Sequence, residues 1–298
     1  MTLLPSAHKI SQQSITMPAG SIDTHAHIFE RHLPMASDRR YTPDYDAPLS
    51  RYLQMLDEHG MAKGVLVQPS FLGTDNSYLL HALRSAGDRL RGVVVVDASA
   101  PIAVLKAMDA DGVVGIRLNL VGRDLPSFDT EPWSKLLANV GSLNWCIEVQ
   151  RPASDLELAL PAFLKIGVPV LVDHFGLLGE DSSRSSSALR LLESAAKSRR
   201  VWIKISAPYR LRGKGGGEER AQRIYPDLRD AVGLDRLIWG SDWPHTQYED
   251  TQSYFHACSS LLRIVRNEKE RRQILQTNAL SLFRFTKHRE LIEGSGGS

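Results

Sequence analysis

Trp145-Cys-Ile-Glu-Val-Gln150, then Leu156, Leu160, Phe163 and Leu164 at helical spacing, then Val168-Pro-Val-Leu-Val-Asp173: this stretch decides the fold. Each flanking run is short and almost continuously apolar, as a strand covered on both faces must be, and that marks a parallel sheet. The spacer with helix period supplies the crossover that parallel neighbours need. Working outward, the same alternation recurs along the chain. Further runs lie at Ser21–His25, Gly64–Gln68, Gly92–Asp97, Val113–Asn119, Val201–Ser206 and Leu237–Ser241, making eight in all. Eight strand-then-helix units without an internal break in composition predict the α/β class and a single (β/α)8 TIM barrel. No G-x-G-x-x-G or Walker-type loop follows any run, which argues against a nucleotide-binding open sheet. The reading divides the chain into an N-terminal arm over 1–19 lying on the surface, the barrel over 20–288, and a flexible tail over 289–298. The tail ends in the linker-like Gly294-Ser-Gly-Gly-Ser298. Two loops are expected at the barrel mouth, a mobile one at Ser182–Ser187 and a glycine-rich one at Gly213–Gly217.

Composition narrows the function classes. The chain has 298 residues, 42% of them hydrophobic and 23% charged, with a formal net charge of +2. Charge so near neutral gives no electrostatic case for nucleic acid or an acidic membrane as partner. Two cysteines, Cys146 and Cys258, cannot make a disulfide framework. No apolar run approaches the ~20 residues that span a bilayer, and Met1–Gln13 lacks a signal-peptide core. The expectation is a cytoplasmic protein, a monomer or small homo-oligomer, acting on a small molecule.

Barrel enzymes carry their chemistry at the carboxyl ends of the strands. The first run ends Asp23-Thr-His25-Ala-His27, where a side-chain period of two puts both imidazoles on one side. The sixth ends Val172-Asp173-His174, and the eighth Trp239-Gly-Ser-Asp242-Trp-Pro-His245. His25, His27, His174 and Asp242 are therefore expected to converge at the mouth, with the scattered His8, His32, His59 and His288 structural. Three imidazoles and a carboxylate form a legitimate site for one divalent metal such as zinc. A second metal is disfavoured by Arg117 at the end of the fourth run and by Gln150, rather than a histidine, at the end of the fifth. No Gly-x-Ser-x-Gly elbow is present.

These motifs resemble the amidohydrolase superfamily over roughly residues 20–285. Val67-Gln68-Pro-Ser70, Gly73-Thr-Asp-Asn76 and Gly115-Ile-Arg117 are similar to the branch of the 2-pyrone-4,6-dicarboxylate lactonases and related lactone-processing enzymes. The resemblance implies hydrolysis or rearrangement of small lactone acids, in several members without a metal, so no cofactor is favoured here. It also implies that Arg117, Arg123 and Arg210 bind substrate carboxylates and that Tyr41 and Ser70 make further substrate contacts. Gln247 stands where the dicarboxylate lactonases carry asparagine, and Gln150 where they carry tyrosine, which leaves the exact lactone open.

Arginines gathered at a barrel mouth independently suit a polyanionic small substrate, because the guanidinium matches carboxylates bidentately. Asp242 is expected to activate water as general base while the His25, His27 and His174 cluster polarises the lactone carbonyl. The rival readings are a lactone isomerase, a zinc-dependent decarboxylase on the same scaffold, and a non-catalytic binder that keeps the carboxylate-binding arginines, the last disfavoured because every expected catalytic group is present.

Overall fold

A computed structural model describes residues 15–178, 182–211 and 216–285. Eight strands form one sheet in the order of the sequence: β1 (Ser21–Ala26), β2 (Met61–Val67), β3 (Leu90–Val94), β4 (Val113–Asn119), β5 (Cys146–Gln150), β6 (Val170–Val172), β7 (Val201–Lys204) and β8 (Leu237–Ile238). Every adjacent pair from β1 to β8 is parallel. Helices α1 (Leu49–Glu58), α2 (Ser77–Ala86), α3 (Ile102–Ala110), α4 (Trp133–Ser142), α5 (Leu160–Ile166), α6 (Ser182–Ala196), α7 (Gly217–Val232) and α8 (Tyr254–Ile264) follow the strands in turn. This is the (β/α)8 barrel that the alternation predicts.

The ends of the sheet meet through the segment after β8. Thr24 N donates to Trp239 O (3.1 Å), Asp242 N to His25 O (2.8 Å) and His27 N to Trp243 O (2.7 Å). Gly240 makes this seam feasible, because a Cβ there would sit 2.6 Å from His25 N, closer than side chains approach. Asp23 braces the seam from within. Its Oδ1 accepts from Ser241 N (2.8 Å) and His25 N (3.2 Å), and its Oδ2 from the hydroxyls of Ser241 (2.6 Å), Tyr254 (3.0 Å) and Tyr52 (3.3 Å).

The core has two parts. Strand and helix side chains pack together outside the barrel. Inside it, Ile22, Val65, Val93, Val114, Cys146, Leu171, Trp202 and Ile238 pack with Phe283 and Phe285 of the chain's last described turn. Ile22, Val114, Cys146 and Trp202 sit early in their strands, so the plug fills the amino-terminal end there and leaves the carboxyl ends of β1, β4, β5 and β7 to polar groups. Strand β5 shows the layering in three alternate residues: Cys146 joins the plug, buried Glu148 lies above it, and Gln150 reaches the mouth.

Two sequence expectations need adjustment. Met17 is buried, its N–H donating to His59 O (2.9 Å) at the end of α1, so the described end of the arm is anchored at Met17 while Thr16 and Ala19 stay exposed. Ser182–Ser187 belongs to the start of α6 and is not a loop; a serine-rich stretch without Gly or Pro is only mildly unfavourable in a helix. Most of Gly213–Gly217, all of 1–14 and all of 289–298 lie outside the described residues. Among the described residues, no helix is long and apolar enough to cross a membrane, and both cysteines are free and buried.

Candidate active site

The four residues expected to converge do so. Asp242 Oδ1 lies 3.5 Å from His25 Nε2, 3.7 Å from His27 Nε2 and 3.9 Å from His174 Nε2. All four side chains are essentially sealed from bulk water. Asp242 Oδ1 and His25 Nε2 have no hydrogen-bond partner, so the focus of the cluster is an unsatisfied polar point. Buried polar atoms normally find partners, and exceptions gather where chemistry is done. The backbone carries the same mark: His174, Ala207, Asp242, His245 and Gln247, none of them glycine, all adopt positive φ at the ends of β6, β7 and β8. Such conformations cost about 1–3 kcal/mol each and persist where the surroundings over-determine them.

The other carboxylate oxygen of Asp242 is fully used. Its Oδ2 accepts from the Tyr209 hydroxyl (2.6 Å) and from Arg210 Nε (2.8 Å). Burial opposes ionisation of Asp242, but Arg210 and then the three surrounding imidazoles hold its carboxyl well below the usual carboxylate range. His25 is held well below its ordinary value by burial and then by the Lys204 ammonium. His27 is pushed down to about 4 by burial and then Arg117, and His174 to about 3 chiefly by burial. At neutral pH the site therefore combines an ionised carboxylate with neutral imidazoles, which sequence alone left open. His27 Nδ1 donates to Val67 O (2.7 Å), leaving Nε2 as an acceptor. His174 Nδ1 is 2.9 Å from Ser206 Oγ.

Beneath this cluster lies a second one that the sequence reading missed. Lys204, Glu148 and Asp173 are fully buried. Lys204 Nζ donates to Glu148 Oε2 (2.6 Å) and His25 Nδ1 (3.0 Å) and lies 3.4 Å from Asp173 Oδ1. Burial opposes the charge on Lys204, but Glu148 and Asp173 outweigh it and raise its pKa. Asp173 is pushed up to about 8 by burial and then by Glu148. A charged residue at an inward strand position was the available signal, since such a residue needs a buried partner. His245 and Tyr209 were also missed: His245 is buried with Nδ1 3.2 Å from the Tyr209 hydroxyl.

Above Asp242 opens a cavity of about 340 Å³, lined by His27, His174, Asp242 and the arginines Arg40, Arg117 and Arg210. Tyr41, Ser70, Gln150 and Gln247 line it too. Arg117 is the notable cation. It donates to Gln68 O (3.0 Å) and Gln150 Oε1 (2.6 Å), both uncharged, and its Nε has no partner. Gln68 is itself anchored, donating to Asp75 O (2.7 Å), so the Gly73–Asn76 motif braces the loop on which Arg117 leans. Arg123 is not among the lining residues; it pairs with Asp38 (2.8 Å) at the surface. Arg40, which the sequence did not single out, lines the cavity instead and donates to Val121 O (2.7 Å) and Asn119 Oδ1 (3.2 Å).

Among the described residues, two groups of side chains have metal-ligating atoms close enough to share a cation: His25, His174 and Asp242, and His25, Glu148 and Asp173. The second is already filled by the Lys204 ammonium. This is a nearer obstacle to a second metal than Arg117, on which the sequence argument rested. The first has suitable donor types and two unpartnered atoms facing each other. It lacks one requirement. An ammonium has no acceptor, so a Lys204 bond to His25 Nδ1 places the imidazole proton on Nε2, where a metal would need a lone pair.

Comparison with known proteins gives an independent bearing. The Amidohydrolase family model matches residues 22–285. The chain is 32% identical over 253 residues to 2-pyrone-4,6-dicarboxylate hydrolase of Comamonas testosteroni, covering 80% of this chain and 82% of that one. It is 28% identical over 291 residues to 4-sulfomuconolactone hydrolase of Hydrogenophaga intermedia, covering 93% and 92%. Among solved structures, a probable 2-pyrone-4,6-dicarboxylic acid hydrolase from Acinetobacter baumannii with citric acid bound superposes with a TM-score of 0.84 at 39% identity. It covers 89% of this chain and 99% of that one.

Proposed function

The chain belongs to the amidohydrolase family, in the branch of the 2-pyrone-4,6-dicarboxylate hydrolases, and on that premise we propose that it opens a small carboxylated lactone by hydrolysis. One observation carries the reading: the unpartnered Oδ1 of Asp242 stands at the focus of three imidazoles on the floor of a cavity whose Arg117 has only neutral partners. A carboxylate able to take a proton from water and a guanidinium in need of an anion are what hydrolysis of an acidic lactone requires. Two relatives are named for hydrolysing lactones of this kind, and a structural neighbour holds citric acid, a small polycarboxylate.

In the proposed sequence, Arg117 and Arg210 bind substrate acid groups and set the ring against Asp242. Arg40 on the rim, and Arg123 once freed from Asp38, meet a further acid group. Tyr41, Ser70, Gln150 and Gln247 line the space around the ring. The attacking water donates to Asp242 Oδ1 and to the lone pair of His27 Nε2. Asp242 is a weak base while Arg210 compensates its charge; a substrate carboxylate that draws on the same guanidinium raises its basicity when the lactone is in place. His25 and His174 polarise the carbonyl, with His25 Nε2–H donating to the developing oxyanion. The leaving alkoxide or enolate takes the proton that Asp242 removed.

A single divalent cation such as zinc, held by His25, His27, His174 and Asp242, is the alternative means of polarising water. The Nε2–H form of His25 speaks against it, and no step here is assigned to a metal.

The test is incubation with 2-pyrone-4,6-dicarboxylate and with 4-sulfomuconolactone in ¹⁸O water, with and without a chelator. Ring opening with one solvent oxygen retained in the product supports the reading, and chelator resistance supports its metal-free form. Failure to open either lactone, or conversion without solvent oxygen, overturns it.

A further inference from the structure

We infer that Lys204 is a positioning residue for His25: by donating to Nδ1 it holds the ring as its Nε2–H tautomer, so that His25 offers the cavity a hydrogen-bond donor and not a metal-ligating lone pair. Three observations converge. Lys204 is fully buried on the last residue of β7, a placement that a lysine tolerates only with strong compensation. That compensation is present, with Glu148 Oε2 at 2.6 Å and Asp173 Oδ1 at 3.4 Å. Its Nζ also reaches His25 Nδ1 at 3.0 Å with hydrogen-bonding geometry. Glu148 Oε1 and Asp173 Oδ1 are also near Nδ1, at 3.2 and 3.6 Å, yet neither makes a hydrogen bond to it. Those two acids are where a metal-ligating histidine would send its second N–H. The ammonium has taken that role over and reversed the direction of the bond.

The consequence is a choice between two chemistries on one set of side chains. With Lys204 in place, His25 Nε2–H points toward Asp242 Oδ1, 3.5 Å away, where a substrate oxygen would meet it. Without it, Glu148 or Asp173 accepts from Nδ1–H, and Nε2 becomes a lone pair facing the same point as Asp242 Oδ1.

The catalytic consequence rests on the lactone-opening reading, but the tautomer can be read without substrate. The measurement is long-range ¹H–¹⁵N correlation of the ¹⁵N-histidine-labelled full chain, assigned with a His25→Gln control. Wild type is expected to show His25 protonated on Nε2. Because Lys204→Met alone would leave two facing acids without a counter-charge and threaten folding, the main variant is Lys204→Met with Glu148→Gln. It is expected to move the proton to Nδ1 and to bind zinc about 10- to 100-fold more tightly than wild type in a calorimetric titration. Glu148→Gln alone is expected to leave the tautomer unchanged. A wild-type ring protonated on Nδ1, or a double variant that keeps Nε2–H, overturns the assignment whether or not any lactone is turned over. A double variant whose zinc affinity stays at the wild-type level overturns the exclusion of metal.

Discussion

Ser241 Oγ donates a 2.6 Å hydrogen bond to Asp23 Oδ2, joining the segment after β8 to β1 at the barrel seam. The same carboxylate oxygen accepts from Tyr52 and Tyr254, so one buried acid ties two helices to the point of closure. Burial raises the Asp23 pKa, and the bonds from Ser241 pull in the other direction. Its substitution by alanine leaves three buried hydroxyls without their acceptor, at about 1–3 kcal/mol for each group left unsatisfied. Asp23→Ala is expected to lose about 3–5 kcal/mol in urea unfolding, and Asp23→Asn clearly less. A loss under about 1 kcal/mol for alanine would contradict the brace.

Asp242→Asn separates binding from chemistry. General bases contribute about 10²–10⁴ in rate, and kcat is expected to fall within that range. Removing the charge also releases Arg210 from its ion pair. Calorimetric binding of citrate as an anionic probe is therefore expected to hold or tighten. Retention of a substantial share of wild-type kcat would remove Asp242 from the role of base.

Arg117 has neutral partners only, so its charge is free to meet an acid group. Arg117→Met is expected to raise KM about 10- to 100-fold, as befits a lost charge-assisted bond of about 1.5–3 kcal/mol. Arg117→Lys recovers only part, since an ammonium cannot keep both Gln68 O and Gln150 Oε1 while engaging a carboxylate with two parallel bonds. Equal KM values for wild type and Arg117→Met would show that the guanidinium does not touch the substrate.

The buried histidines set the acid limit of stability. Burial is the main cause that places His27 and His245 at about 4 and His174 at about 3, below the ordinary 6.5. Below pH 6.5 the unfolded chain takes up protons that the folded one refuses, so stability is present above 6.5 and is lost as pH falls through 4. The loss is about 1.4 kcal/mol per pH unit for each ring. Asp173 acts oppositely: raised to about 8, it contributes stability that is full below about 4 and is lost as pH rises through 8. These three rings, with His25 acting in the same direction, outweigh Asp173 between pH 4 and 6.5, and above 6.5 the rings no longer contribute a slope while Asp173 still does. The urea midpoint is expected to peak near pH 6.5, fall steeply toward 4 and decline gently toward 8. A midpoint unchanged from pH 7 to 5 would mean that these rings are not buried neutral.

The same shifts bear on turnover. With Asp242 ionised and His25, His27 and His174 neutral across the neutral range, the acid limb of kcat/KM is expected near pH 4. A limb near pH 6.5 would assign catalysis to a histidine with an ordinary pKa.

What the sequence determined by itself was whatever depends on neighbours along the chain. The apolar runs and the helix-period spacers between them specify strand, helix and parallel order, because periodicity is a local consequence of backbone geometry. The strand ends then follow, and with them His25, His27, His174 and Asp242, since a barrel puts all its strand carboxyl ends on one face. Arg117 was legible for the same reason, as a charge inside an apolar run. Only the tertiary structure decided which of these side chains meet and in what protonation state. Lys204, 56 residues from Glu148 and 179 from His25, reads in sequence as one polar residue in Val201–Ser206. The curvature of the closed sheet makes it the cation beneath the imidazoles. Arg123 and Arg40 show the same dependence: each has its partners far along the chain, and only the folded loops put the second rather than the first in the cavity. Burial, together with the charged partners it brings into contact, fixes the charge of the groups in the site, and both are properties of the assembled barrel and of no local stretch of chain.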